Sequence, residues 1–267
     1  MRGAPCWVWI SCLCLGCQAV GLPFSPPDGR ATQLWQEGQA ALQRGEIDQA
    51  VDSYESSLAA DPQATRAHLS LAAALLEKGD QEEACKHLAL YVRSHPDHLG
   101  PRVHYAELLF RLKRPAEAKA EFEGAVSLAQ EDADAAISHL LQCHARLMEI
   151  AEAEDDEYGI HLNRGIGVYY LACQHADMQG CQGKLHPEAL LCQAAGELAL
   201  ARMVRPSEAR PCWYLHEVWT RLDQRRPALN NLREAEALAP FSHLTTAEGR
   251  AMQMASLKLS ADQPSRR

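Results

Sequence analysis

Five residues able to ligate a soft metal or to form disulfides, Cys173, His175, Cys181, His186 and Cys192, fall within twenty positions of one another. A structural zinc site needs about four such groups converging tetrahedrally. The spacings match no zinc ribbon or finger, the body of the chain holds no CxxC pair, and two of the ligands sit inside helical patterns. No metal and no other cofactor is therefore expected. Cys173 and Cys181 could instead close a loop as a disulfide in an oxidising compartment, or the thiols could pack as small apolar residues. A metal- or thiol-dependent enzyme or sensor built on residues 173–192 is the alternative class of function.

Catalytic signatures are missing elsewhere. The sequence holds no GxGxxG after a strand, no GxxxxGK[ST], no HExxH and no GxSxG, so no catalytic residue is assigned and a non-enzyme is expected. The glycines of Arg164–Gly167 lie within a helical pattern, where close helix packing is the simpler use than phosphate binding. The acidic run from Glu152 to Glu157 lacks the alternating ligand spacing of a calcium loop and reads as a solvated turn.

Composition narrows the class further. The chain has 267 residues and a net charge of -9, is 47% hydrophobic, and is poor in the residues that strands prefer. That describes a mostly helical protein. The acidic balance and scattered Lys and Arg argue against nucleic acid as a partner, because binding there depends on neutralising phosphates. No apolar run reaches the roughly 20 residues needed to cross a bilayer as a helix.

The amino terminus reads separately. Residues 1–19 combine Arg2, an apolar stretch from Ala4 to Leu15 and small residues after it, the layout of a secretory signal. Cleavage after Ala19, or before a lipid-bearing Cys17 in the manner of a bacterial lipoprotein, are both open. The lipoprotein pattern is imperfect, since Cys14 stands where Leu is usual and Leu15 where a small residue is usual. Residues 20–30 are Pro- and Gly-rich, as a tether would be. Export to the cell envelope or periplasm, with a lipid anchor as the membrane contact, is the expected localisation.

Beyond the leader the chain repeats itself. Aligning Gly45 with Gly79 aligns Ala50 with Ala84, Tyr54 with Leu88 and Pro62 with Pro96, each pair 34 residues apart. A third window from Lys113 keeps Ala118, Phe122 and Ala125, and a fourth from Asp223 carries Ala228, Leu232, Ala235 and Pro240. Asp223 lies 144 residues beyond Gly79, four periods and eight more, so an insertion is expected between them, with the Gly-rich stretch near 176–185 as its site. Between the third and fourth windows, three helices are expected. The first carries Ile137, Leu140, Leu141, His144, Leu147, Met148 and Ala151 at helical spacing.

This pattern resembles the tetratricopeptide repeat, which has the same period, a small residue in helix A, Gly at the turn, Ala and an aromatic in helix B, and a terminal Pro. The resemblance implies an all-α fold, a right-handed α-solenoid of stacked antiparallel helix pairs. Residues 31–130 would form three repeats, 131–208 irregular helical repeats, 209–240 a further repeat, and 241–267 a C-terminal capping helix and tail. Gly38, Ala50, Ala72 and Ala84 would sit where helices approach closely, and Tyr54, Leu88 and Phe122 would fill the wedge to the next repeat.

The resemblance also implies a groove lined by helix A. Its positions here are Thr32, Trp35, Gln39 and Leu42; Arg66, Leu69, Ala73 and Leu76; and Gly100, Val103, Glu107 and Phe110. The expectation is an apolar strip for a partner protein's helix or extended peptide, on a scaffold similar to envelope repeat lipoproteins that assist assembly of larger complexes. The Lys, Arg and Asn set that grips a chaperone's acidic tail is missing. The competing expectation is that residues after Pro240 fill the groove themselves.

Overall fold

The computed structural model describes residues 29–132, 136–177 and 186–261. Twelve α-helices carry the described chain: α1 (Gly29–Gln43), α2 (Ile47–Ala60), α3 (Thr65–Lys78), α4 (Gln81–Ser94), α5 (Leu99–Arg111), α6 (Pro115–Ala129), α7 (Ile137–Ala153), α8 (Glu157–Asp177), α9 (Pro187–Val204), α10 (Ala209–Arg221), α11 (Arg225–Leu238) and α12 (Thr246–Ala261). Each helix packs chiefly on its neighbours in sequence, as a solenoid requires. The all-α solenoid is as expected.

One turn, used five times, joins the members of the pairs α1/α2, α3/α4, α5/α6, α7/α8 and α10/α11. The residue at its centre takes a left-handed backbone: Gly45 (φ 78), Gly79 (φ 99), Lys113 (φ 60), Asp155 (φ 54) and Asp223 (φ 55). The next amide then donates to the carbonyl five residues back: Glu46 to Ala41, Asp80 to Leu75, Arg114 to Leu109, Asp156 to Ala151 and Gln224 to Trp219, at 2.8–3.0 Å. This six-to-one closure satisfies a carbonyl that a helix end otherwise leaves unpaired. Glycine adopts the conformation without cost, so the first two turns match the repeat signature while the later three are built from Lys and Asp.

These turns locate the register shift. They are spaced 34, 34, 42 and 68 residues apart, so the eight extra residues fall between Lys113 and Asp155. The insertion expected near 176–185 is thereby moved to the end of α6 and the start of α7, where a short 3-10 turn, Gln130–Asp132, extends α6. From Asp155 to Asp223 the chain keeps two whole periods. Helix alternation breaks there, because α8 packs against both α7 and α9 and no separate helix intervenes before α9 among the described residues.

The small residues sit where close packing demands them. Ala50, Ala72 and Ala84 are fully buried, and a Cβ placed on Gly38 would lie 2.6 Å from the Tyr54 ring. Tyr54, Leu88, Phe122 and Leu232 fill the same wedge position in four repeats, all in the core. In α8 that position is Arg164, and glycines take over the packing: a Cβ at Gly159 would lie 2.9 Å from the Ala151 Cβ, and one at Gly165 only 2.8 Å from Leu198. Of the glycines read from sequence as packing residues, Gly165 brings α8 onto α9, while the close approach to α7 is made by Gly159, outside that reading.

The C-terminal helix closes the array. Thr245 and Glu248 form a capping box, the Glu248 amide donating to Thr245 Oγ1 and the Thr245 amide to Glu248 Oε2. From there α12 is tied back to the end of α6: Thr245 Oγ1 donates to Gln130 Oε1, Gln130 Nε2 donates to Glu248 Oε1, and Arg250 pairs with Glu131.

Candidate functional site

The proposed groove residues divide into a tied group, a solvated group and one that faces inward. Trp35 Nε1 and Gln39 Nε2, both on α1, donate to the same Ser70 Oγ on α3, at 3.0 and 3.1 Å. Leu42, Leu69, Leu76 and Phe110 are half-buried against the core edge. Arg66 is exposed. Thr32, Trp35 and Arg66 border one cavity of about 370 Å³ at the junction of α1, α2 and α3.

Val103 does not belong to this surface. It is 1% exposed and aligns along α5 with buried Ala106 and Leu109, three residues apart on the core stripe. The groove assignment placed it one stripe too far round the helix.

Glu107 and Phe110 face the next repeat. Arg146 of α7 donates from Nε and Nη2 to both Glu107 carboxylate oxygens, at 2.9 and 2.8 Å, and its Nη1 donates to Glu149. The same guanidinium lies 5.2 Å from the Phe110 ring centroid. This two-pronged ion pair with a ring contact orders both side chains. Nothing in the repeat signature marks Arg146, because it lies within the irregular segment.

The cysteine and histidine cluster is dispersed. Cys173 is buried, His175 half-buried, and His186 and Cys192 exposed at the start of α9. Among the described residues no three His, Cys, Asp or Glu side chains are placed to hold a metal ion. Cys181 and Cys17 lie outside the described residues, so the disulfide with Cys173 and the lipid site do too. Elsewhere, burial pushes the Cys143 thiol up to about 12 and the Cys212 thiol up to about 11, which makes both poor nucleophiles.

A second cavity, of about 390 Å³, opens between α6, α7, α8 and the segment leading into α12. His144, which sequence periodicity places simply on the apolar face of α7, lines it. Desolvation by burial lowers the imidazole to about 4, keeping it neutral. A histidine within an apolar helical stripe is the only sequence signal for this site.

Comparison with family models agrees with the repeat period. Residues 36–98 match one family model of the tetratricopeptide repeat and residues 102–132 match a second. Among curated proteins the chain is similar to superkiller complex protein 3 of Mus musculus, 28% identical over 167 residues, covering 61% of this chain and 11% of the relative. The chain thus spans only about a tenth of that relative's length. Among solved structures, MamA is similar at 15% identity and a TM-score of 0.42, over 78% of this chain and 91% of that one. A tetratricopeptide repeat protein from Parabacteroides merdae is similar at 12% identity and a TM-score of 0.43, over 87% and 86% of the two chains.

Proposed function

We propose that this chain, whose residues 36–98 and 102–132 match tetratricopeptide repeat models, is a non-enzymatic scaffold holding a helix or extended peptide of a partner protein along α1, α3 and α5. The observation that carries this reading is the half-buried strip of Trp35, Leu42, Leu69, Leu76 and Phe110 on three successive A helices, continuous with the cavity that Trp35 and Arg66 share. Partly exposed apolar side chains at helical spacing supply anchor pockets, and the polar Gln39, Arg66 and Glu107 between them supply orientation. The bonds of α12 to Gln130, Glu131 and Arg210 favour a C-terminal helix seated on the second half of the array over one filling this strip.

Capture of partner by wild-type protein, Trp35→Ala and Phe110→Ala tests the reading. Loss of a central anchor weakens binding by about 2 kcal/mol, roughly thirtyfold, while helix content stays constant. Unchanged capture with a lowered melting temperature would show that the strip only supports the fold.

The leader at residues 1–19 and the Pro- and Gly-rich stretch after it support the finer part of this reading. In it the scaffold is exported, anchored through lipid on Cys17, and assists assembly of an envelope complex. Cys17→Ser then releases the mature protein to the soluble fraction or leaves uncut precursor, and Cys12→Ser changes nothing. Unaltered fractionation of the Cys17 variant removes the anchor.

A further inference from the structure

The start of α3 is held from two sides. Toward α1, Ser70 Oγ accepts from Trp35 Nε1 and Gln39 Nε2, at 3.0 and 3.1 Å. Toward α4, His68 meets His87, Nδ1 to Nδ1 at 2.9 Å. His68 and Ser70 stand two positions apart, about 200° round the helix, so the ties act on roughly opposite faces, with Leu69 of the proposed strip between them. No side chain caps α3 at Ala64, so its first two turns lean on these contacts and on the core packing of Ala67 and Leu71.

The histidine contact tolerates only some protonation states. The ring planes are 29° apart and the centroids 5.2 Å apart, little more than the Nδ1–Nδ1 distance plus the two ring radii, so the imidazoles meet edge to edge along the bond. Such a bond needs one Nδ1 with a proton and one without. Two neutral rings satisfy it as unlike tautomers, and an imidazolium satisfies it by donating to a neutral neighbour. Two imidazoliums cannot, because N–H would face N–H at 2.9 Å and the like charges repel. Little nearby offsets a second charge. Burial and then His68 push the His87 imidazole down, while Glu83, which acts to raise it, already pairs with Lys86 at 2.6 Å. Lys86 itself disfavours the charge, and α5 brings no charged group to His87 among the described residues.

Building on the scaffold reading, we propose that His68 and His87 form a proton-operated latch on α3, closed while the pair carries at most one positive charge and open when it carries two. Opening frees the start of α3 from α4 and disturbs Leu69 and the Trp35–Ser70 bond of the strip. The unfolded chain takes up both protons near the ordinary 6.5, so the latch's contribution is complete above about pH 6.5 and is lost as pH falls through the second step. The test follows the histidine nitrogen resonances, the Trp35 indole N–H and amide exchange in full-length protein from about pH 8 to about pH 4.5. The expected result is titration of the two rings in steps more than about one pH unit apart, the second step shifting the Trp35 resonance and speeding exchange at the start of α3. His87→Gln keeps an acceptor for a charged His68, so in this variant His68 titrates in one step and α3 stays protected to the lowest pH. Two rings that both titrate near 6.5 in the wild type overturn the proposal, as does a second step that leaves Trp35 and α3 unmoved. Loss of α3 protection at the same pH in His87→Gln overturns it too, assigning the effect to other groups. The wild-type titration stands even if the variant does not fold. None of these readouts uses a partner, so their failure alongside intact partner capture at neutral pH overturns this inference and leaves the scaffold reading standing.

Discussion

Arg210 and Glu248, 38 residues apart in sequence, form an ion pair between α10 and α12, Nε to Oε2 at 3.0 Å, with the carboxylate only 4% exposed. Around it converge the Thr245 amide and the Gln130 side chain, so one carboxylate joins the capping box, the fifth pair of helices and the end of α6.

Glu248→Gln tests that junction, since Gln keeps the capping geometry but removes the charge. Breaking a buried pair leaves the partner charge uncompensated, and with Arg210 still 28% exposed the expected loss is about 2–3 kcal/mol in urea unfolding. Thr245→Ala removes only the cap and should cost about 1 kcal/mol.

The repeated turn predicts opposite signs for two substitutions. Lys113→Gly relieves a left-handed side-chain residue and should stabilise by about 0.5–1 kcal/mol, the relief exceeding the added freedom of the unfolded chain. Gly79→Ala introduces the strain and should destabilise by about 1 kcal/mol. Thermal melts of both variants check the pair; equal signs would contradict the shared turn geometry.

Ala50 is fully buried beside α1 while Gln49 is exposed, so Ala50→Leu should overpack the seam and cost about 1–3 kcal/mol where Gln49→Leu is nearly silent. Equal melting temperatures for the two variants would sink the helix register.

His144 sets a pH dependence. Burial lowers it to about 4 in the folded protein, below the ordinary 6.5, so the unfolded chain takes up the proton first as pH falls. Its contribution is fully present above about pH 6.5 and is lost down to about pH 4, amounting to about 3 kcal/mol over that window. Denaturation at a series of pH values should show this slope, and His144→Leu should flatten it by the same amount. A wild-type slope retained in the variant would assign the effect to other groups, His87 among them, which burial also lowers.

The 34-residue period and the close-packing alanines were legible because each repeat is stabilised by its own pair and its nearest neighbours. Such contacts recur at fixed spacing and leave a pattern in the chain. The three helices of the irregular segment were legible too, from periodicity alone. The capping box at Thr245 and Glu248 fits a local signature that the sequence reading did not single out, and only the fold makes its carboxylate the partner of Arg210.

Other features needed the fold. The eight-residue shift lies between Lys113 and Asp155 because backbone dihedrals mark the turns there, and neither residue is a glycine that sequence would flag. Val103 turned inward because the rotation of α5 about its axis is set by both flanking helices, a difference of one stripe that spacing does not resolve. Arg146 on Glu107, Asn163 orienting His144, and α12 returning to Gln130 join residues between 19 and 118 positions apart. Each depends on how successive helix pairs rotate against one another. That rotation accumulates along the stack from packing at every seam, and no local pattern of residues encodes it.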